Sequence, residues 1–417
     1  MTFTDTAGAR GTPSRPITDA QAGGRDRCLD LLRALALVRV VAYHAFGWAW
    51  LTLVFPSMGV MFALAGSLMA RSLRRPAVGV ILRRFRRLLL PLWLYGVVVL
   101  GILFSRGWHP DRDAPFWWWL RVACWVVPVG SPLFPEHFGG AGGLLETTWA
   151  EQAAGPLWYL RAYLWFVLLS PMLLRMFRRA PRAVLCAPLA LTALLGTGLV
   201  EIPGETGEAV TDFAVHGSCW ILGFCHADGL LRRLPRYLVP SVAPVLMGLA
   251  LWWASGHRGE DGWDLNDIPP AQGLWSFGFC ALLLHFSPSW RELPGPLRRF
   301  DKPVTLAGNR AMTIYLWHEA ALLATVPLLD QLWDVPGASP AYAHLLESSS
   351  SVLMFLLTWP LLALIVPAVG WVEDVAAGRR PRLWPNGRGG GHPRPGWHRV
   401  PGPQGRGTER VSGPARG

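Results

Sequence analysis

Runs of about 17 to 25 mainly apolar residues, parted by short charged connections, give this chain its order, and a helix needs a run of that length to cross a bilayer's hydrocarbon core. Ten are present, over 29–52, 54–70, 88–105, 156–174, 183–200, 211–229, 237–255, 271–287, 304–326 and 348–371. The pattern predicts an all-α polytopic membrane protein, a bundle of about ten transmembrane helices. Residues 1–27 are polar, rich in Gly and Thr and lack an apolar h-region, so they are expected to form a disordered cytoplasmic arm, with the first run acting as an uncleaved insertion signal. Residues 28–373 are then the membrane domain, and 374–417, rich in Gly, Pro and Arg, a disordered basic cytoplasmic tail with weak attraction to anionic lipid. The long connection over 106–155 carries Trp117, Trp118, Trp119, Trp125 and Trp149 beside a Gly-rich stretch at 139–143. Its aromatic segments are expected to lie at headgroup level or to fold partly back into the protein.

Charge gives the runs a direction. Loops 71–87, 175–182, 230–236 and 288–303 are basic, whereas the alternate connections carry Glu201, Glu205 and Glu208, then Glu260, Asp261, Asp264 and Asp267, then Asp330, Asp334 and Glu347. By the positive-inside rule the basic loops and both termini face the cytoplasm, as expected of a multi-pass plasma-membrane protein with an even number of spans. Composition agrees: 52% of the residues are hydrophobic and 16% charged, with a mean hydropathy of +0.29. The net charge of +12 does not argue for nucleic acid, because the arginines lie in short blocks between apolar runs. The six cysteines form no C-x-x-C pair and mostly sit in apolar stretches, so neither a disulfide framework nor a metal site is expected.

Several ionisable groups interrupt the apolar runs, where they are costly unless they line a protein interior or a wet cavity. Arg33 and His44, eleven positions apart, return to nearly one helix face roughly 16 Å apart along the axis. For His44 two readings stand: a histidine hydrogen-bonded between helices, or a general base for a hydroxyl nucleophile, a role that suits an imidazole near neutral pH. Arg33 is close enough to the inner face to anchor there, or it shares a cavity with His44. Counted along the rise from Val304, His318 reaches the same depth as His44, and it serves either helix packing or catalysis. Trp158, Tyr159 and Arg161 near the outer mouth of the fourth run, with Glu319, complete a polar layer. Arg39 lies off the Arg33 and His44 face at mid-membrane depth and needs a partner; Asp212, Glu319 or a substrate carboxylate are the candidates. The block from Arg71 to Arg87 serves topology and also has the chemistry to grip an anionic cofactor, since guanidinium binds phosphate bidentately. Gly66 ends an apolar run of small residues, a setting for close helix packing.

In this order, these pieces resemble the acyltransferase-3 family of bacterial membrane acyltransferases. The matching elements are Leu29-Asp30-x-Leu32-Arg33 followed by His44; Phe62-Ala63-Leu64-Ala65-Gly66; Arg83-Arg84-Phe85-Arg86-Arg87-Leu88 leading to Pro91; Leu157-Trp158-Tyr159-Leu160 before Pro171; and Ile314-Tyr315-Leu316-Trp317-His318. Together they cover about 27 to 372. The resemblance implies transfer of an acyl group, acetyl or another short chain, from cytoplasmic acyl-coenzyme A to a hydroxyl of an outward-facing or membrane-embedded acceptor, commonly a sugar. His44 is then the catalytic base, Arg33 supports it or the donor, and Arg83, Arg84, Arg86 and Arg87 meet the coenzyme's phosphates. The chain departs from the family pattern at Ala34, where Gly is usual, at Ala65, where Ser is usual, and at the extra charge of Arg39. The rival reading is a transporter of a lipid or glycan lined by Arg33, Arg39, His44 and His318. Against it, the sequence shows no paired halves with interrupted helices.

Overall fold

Each predicted run falls on a helix. The computed structural model describes residues 26–110, 114–135, 149–259, 262–336 and 339–385. Most of the arm predicted over 1–27, most of the tail predicted over 374–417 and the Gly-rich stretch at 139–143 lie outside them. Ten long helices carry the fold: α1 (Arg27–Phe46), α2 (Ser57–Ser72), α3 (Ala77–Ser105), α4 (Leu157–Arg179), α5 (Pro181–Gly196), α6 (Gly204–Ala227), α7 (Leu238–Gly256), α8 (Pro269–Phe286), α9 (Ala311–Trp333) and α10 (Pro340–Val369). No strand occurs among the described residues. A helix satisfies its own backbone polar groups within one segment, which is what lipid demands.

Among the described residues six stretches are long and apolar enough to cross a membrane: Leu51–Ser72, Ala77–Ser105, Trp149–Arg179, Leu238–Gly256, Ala311–Trp333 and Pro340–Val369. The other four fall short for physical reasons, since α5 has only 16 residues, α1 carries Asp30, Arg33 and Arg39, α6 carries Glu205, Glu208 and Asp212, and α8 is diluted by Pro269, Pro270, Gln272 and His285. Burial separates centre from periphery. Of its apolar window, Pro340–Val369 buries 17% and Leu238–Gly256 22%, against 72% for Leu51–Ser72. Helices α7 and α10 therefore turn their flanks to lipid, and α2 runs through the centre.

Helices α2 and α6 cross backbone to backbone. A Cβ on Gly66 would lie 2.1 Å from the Trp220 carbonyl oxygen, and one on Gly223 2.2 Å from that of Ala63. Only glycine lets the two backbones touch, so the packing role expected of Gly66 is met and Gly223 is its partner. Gly101 in α3, by contrast, has nothing within 4 Å of its Cβ position. Gly223→Ala is expected to lower the melting temperature of the purified protein, whereas Gly101→Ala raises it slightly, because alanine is favoured by about 1 kcal/mol in an open helix position. Equal shifts of the same sign would show that the crossing is not close.

Both ends of α1 are fixed locally. The Asp26 side chain accepts from the Cys28 amide at the start, and Gly47, at φ 63°, closes the helix with its N–H on the Tyr43 carbonyl. His44 thus occupies the last turn, where the helix dipole favours a cation. Arg27 binds Asp30, Asp301 and Thr305, which ties the start of α1 to the short helix Asp301–Asn309. That helix stops at Arg310, inside the run predicted as one span from 304 to 326. Fully buried Arg310 holds Asp374 at 2.6 Å and the Arg382 carbonyl, clamping the segment after α10 to this end of the bundle. The aromatic connection is divided between exterior and interior, and its second part folds back into the protein. Phe116, Trp117 and Trp119 of the helix Pro115–Val122 point outward, while Trp125 is fully buried and donates to the Leu133 carbonyl at 2.9 Å.

Candidate active site

Three side chains from two helices meet inside the bundle. His44 Nδ1 lies 2.6 Å from Glu319 Oε1, and the His44 and His318 rings meet edge to face with centroids 5.1 Å apart. The shared layer predicted for the two histidines is there. The depth count from Val304 is not the reason, because the chain breaks at Arg310 and α9 starts afresh at Ala311. Glu319 is almost fully buried, which makes its pairing obligatory in a dry interior. The His44 side chain keeps 40% of its surface, and its Nε2 has no hydrogen-bond partner among the described residues. A carboxylate on one ring nitrogen fixes the tautomer and leaves the other as a proton acceptor.

His318 is held differently. It is 2% exposed, with Nδ1 on the Tyr315 carbonyl and Nε2 3.6 Å from Glu319 Oε1. Since a carbonyl only accepts, Nδ1 carries the proton and the Nε2 lone pair faces the acid. The donor atoms of His44, His318 and Glu319 lie within 4.8 Å of one another, close enough to hold a cation, although the sequence reading named no metal ligand.

These residues border a cavity of about 290 Å³ whose wall also includes Arg39, Tyr43, Trp158, Asp212, His216, Asn266 and Gln272. Of the residues named from the sequence, Trp158 and Glu319 border this cavity. Tyr159 is buried behind the wall, its ring 4.9 Å from that of Tyr315. Arg33 is absent from the wall, because eleven residues of helix place it about 16 Å nearer the other end of the bundle. The cation that shares the hollow with His44 is Arg39.

Neither protein carboxylate considered for Arg39 pairs with it. Asp212 is taken by buried Arg161 at 2.6 Å, and Glu319 by His44. Arg39 donates from Nε to the Leu51 carbonyl at 3.3 Å and lies over the Tyr43 ring at 4.8 Å. The Tyr43 hydroxyl in turn donates to Asp264 at 2.6 Å. Sequence reasoning missed Tyr43, His216, Asn266 and Gln272. The acidic connection that holds Asp264 was read for topology alone, and the polar residues clustered in and after it were the available signal.

The arginine block stands at the opposite end of the bundle. Arg84 donates to the Tyr163 hydroxyl at 2.8 Å and to Ser72 at 3.3 Å, and Arg86 to the Val375 carbonyl at 2.9 Å, while Arg83 and Arg87 are exposed. Between the block and the histidines runs a file of rings. Tyr163 and Tyr159 have centroids 6.2 Å apart, Tyr159 and Tyr315 4.9 Å, and Tyr315 and His318 5.6 Å.

Residues 26–372 match the family model for the acyltransferase domain of the acyltransferase-3 family. The chain is also similar to nodulation protein 10 of Rhizobium leguminosarum bv. viciae, at 24% identity over 380 residues, covering 83% of this chain and 94% of that protein. No solved structure matches.

Proposed function

The chain belongs to the acyltransferase-3 family, and from that premise we propose that it carries an acyl group from cytoplasmic acyl-coenzyme A to a hydroxyl of an outward-facing or membrane-embedded carbohydrate, lipid or metabolite. That it is an acyltransferase of groups other than aminoacyl follows from the family. The observation that carries the finer reading is His44, gripped at Nδ1 by buried Glu319 and open at Nε2 to a cavity. In the proposed step Nε2 takes the proton of the acceptor hydroxyl as its oxygen attacks the thioester carbonyl. The tetrahedral intermediate collapses, the carbon–sulfur bond breaks, and the imidazolium returns its proton to the departing thiolate. Glu319 stabilises the positive ring between the two transfers.

The donor reading rests on the other end of the bundle. Exposed Arg83 and Arg87, with Arg84 and Arg86 beside them, offer a cationic surface for the coenzyme's phosphates. For the thioester to reach His44, the uncharged arm of the coenzyme would have to run along the tyrosine file. Purified protein in nanodiscs is expected to release free coenzyme A thiol only when acceptor is present. Labelled solute crossing a vesicle wall without thiol release would instead identify a transporter. Mass spectrometry of envelope glycans, lipids and secreted metabolites from cells with and without the chain is expected to show an acyl-sized difference.

A further inference from the structure

We infer that the acceptor carries an oxyanion, a carboxylate or a phosphate, and that Arg39 is the group that binds it, beside the hydroxyl that His44 deprotonates. The inference rests on the acyltransferase reading and names the substrate class for that same cavity. Arg39 is a guanidinium within an apolar helix, a position where a charge persists only with a counter-charge or a function. It makes no ion pair among the described residues. The two carboxylates of the wall, and Asp264 beside it, are engaged elsewhere: Glu319 by His44, Asp212 by Arg161, and Asp264 by the Tyr43 hydroxyl on Oδ2 and the Asn266 amide on Oδ1 at 2.8 Å. Asp264 acts on Arg39 only through space, beyond ion-pair distance. The terminal nitrogens of Arg39 are left to the cavity, where two oxygens of a carboxylate or a phosphate can meet two parallel N–H donors.

Position places this group on the acceptor's side. Arg39 touches Leu51, and its neighbours in the wall, Asn266 and Gln272, belong to or follow the connection between α7 and α8, at the opposite end of the bundle from the arginine block. Gln272 donates to Asn266 at 2.8 Å, so the two amides add polarity without an opposing charge. Five residues of helix separate Arg39 from His44, a rise of about 7.5 Å. The oxyanion and the acylated hydroxyl therefore sit on the same or adjoining units of the acceptor.

The test incubates the full chain in phospholipid nanodiscs with radiolabelled acyl-coenzyme A thioesters, from acetyl to octanoyl, and an envelope extract of the producing cells. Products are separated by anion exchange. Label is expected in the retained fraction. Arg39→Met is expected to raise the apparent KM for that fraction roughly thirtyfold, with kcat changed by less than about threefold and Arg39→Lys in between. Pretreating the extract with phosphatase abolishes labelling if the oxyanion is a phosphate, and reducing activated carboxyl groups abolishes it if it is a carboxylate. Label confined to the unretained fraction, an unchanged KM in Arg39→Met, or labelling that survives both pretreatments would overturn the assignment. No label in any fraction and no thiol release would instead bring down the acyltransferase reading beneath it.

Discussion

Replacing His44 with alanine is expected to cut acyl transfer by at least about 10²–10⁴-fold, the usual contribution of a positioned general base, while the protein still inserts and elutes as the wild type does. The side chain lies in the last turn of α1, and the helix does not depend on it, since Asp26 caps the start and Gly47 closes the end. What disappears is the proton acceptor facing the cavity, and with it the route by which a neutral hydroxyl becomes a nucleophile. Thiol release and acylated product should fall together in a purified preparation. Membranes of this variant that turn over acyl-coenzyme A and acceptor at the wild-type rate would remove His44 from the mechanism. Normal thiol release with no acylated product would also count against it, because water is then attacking without help from the imidazole.

What could be read in the sequence and what could not divide along a physical line. Apolar run length is a property of each segment alone, so all ten runs fall on helices, and the small residues around Gly66 announced a close crossing without naming Gly223. Spacing on one helix was legible too, as the distance between Arg33 and His44 shows. Partnership between helices was not, because a charge's partner depends on tertiary approach. For Arg39 the candidates were Asp212, Glu319 or a substrate carboxylate, and the structure gives the two protein carboxylates to other groups. Apolarity also concealed the break at Arg310, since a single buried arginine barely alters a run of that length. The same limit explains why His44 and His318 came together although the depth count from Val304 did not hold. Polar residues in short connections, such as Asp264 and Asn266, look like ordinary loop chemistry until the fold brings them over the cavity.

Glu319→Gln separates a catalytic pair from a structural one. The amide has nearly the shape of the acid, and its oxygen still accepts from His44 Nδ1, so ring position and tautomer survive. The negative charge opposite the imidazolium does not survive, and the imidazolium is the species formed while the acceptor attacks. We expect kcat to fall by about two to four orders of magnitude with little change in KM, the signature of an interaction made mainly in the transition state. If Glu319 merely filled a gap between α1 and α9, the neutral isostere would remove a buried charge at no catalytic cost, and rate and melting temperature would both hold or rise. The kcat measurement thus decides between the two without any assumption about the acceptor. His318→Gln provides the comparison, because His318 touches the same carboxylate only at 3.6 Å and spends Nδ1 on its own helix. A smaller loss there than in Glu319→Gln would place the catalytic proton on His44 alone, and an equal loss would mean that the two rings share it.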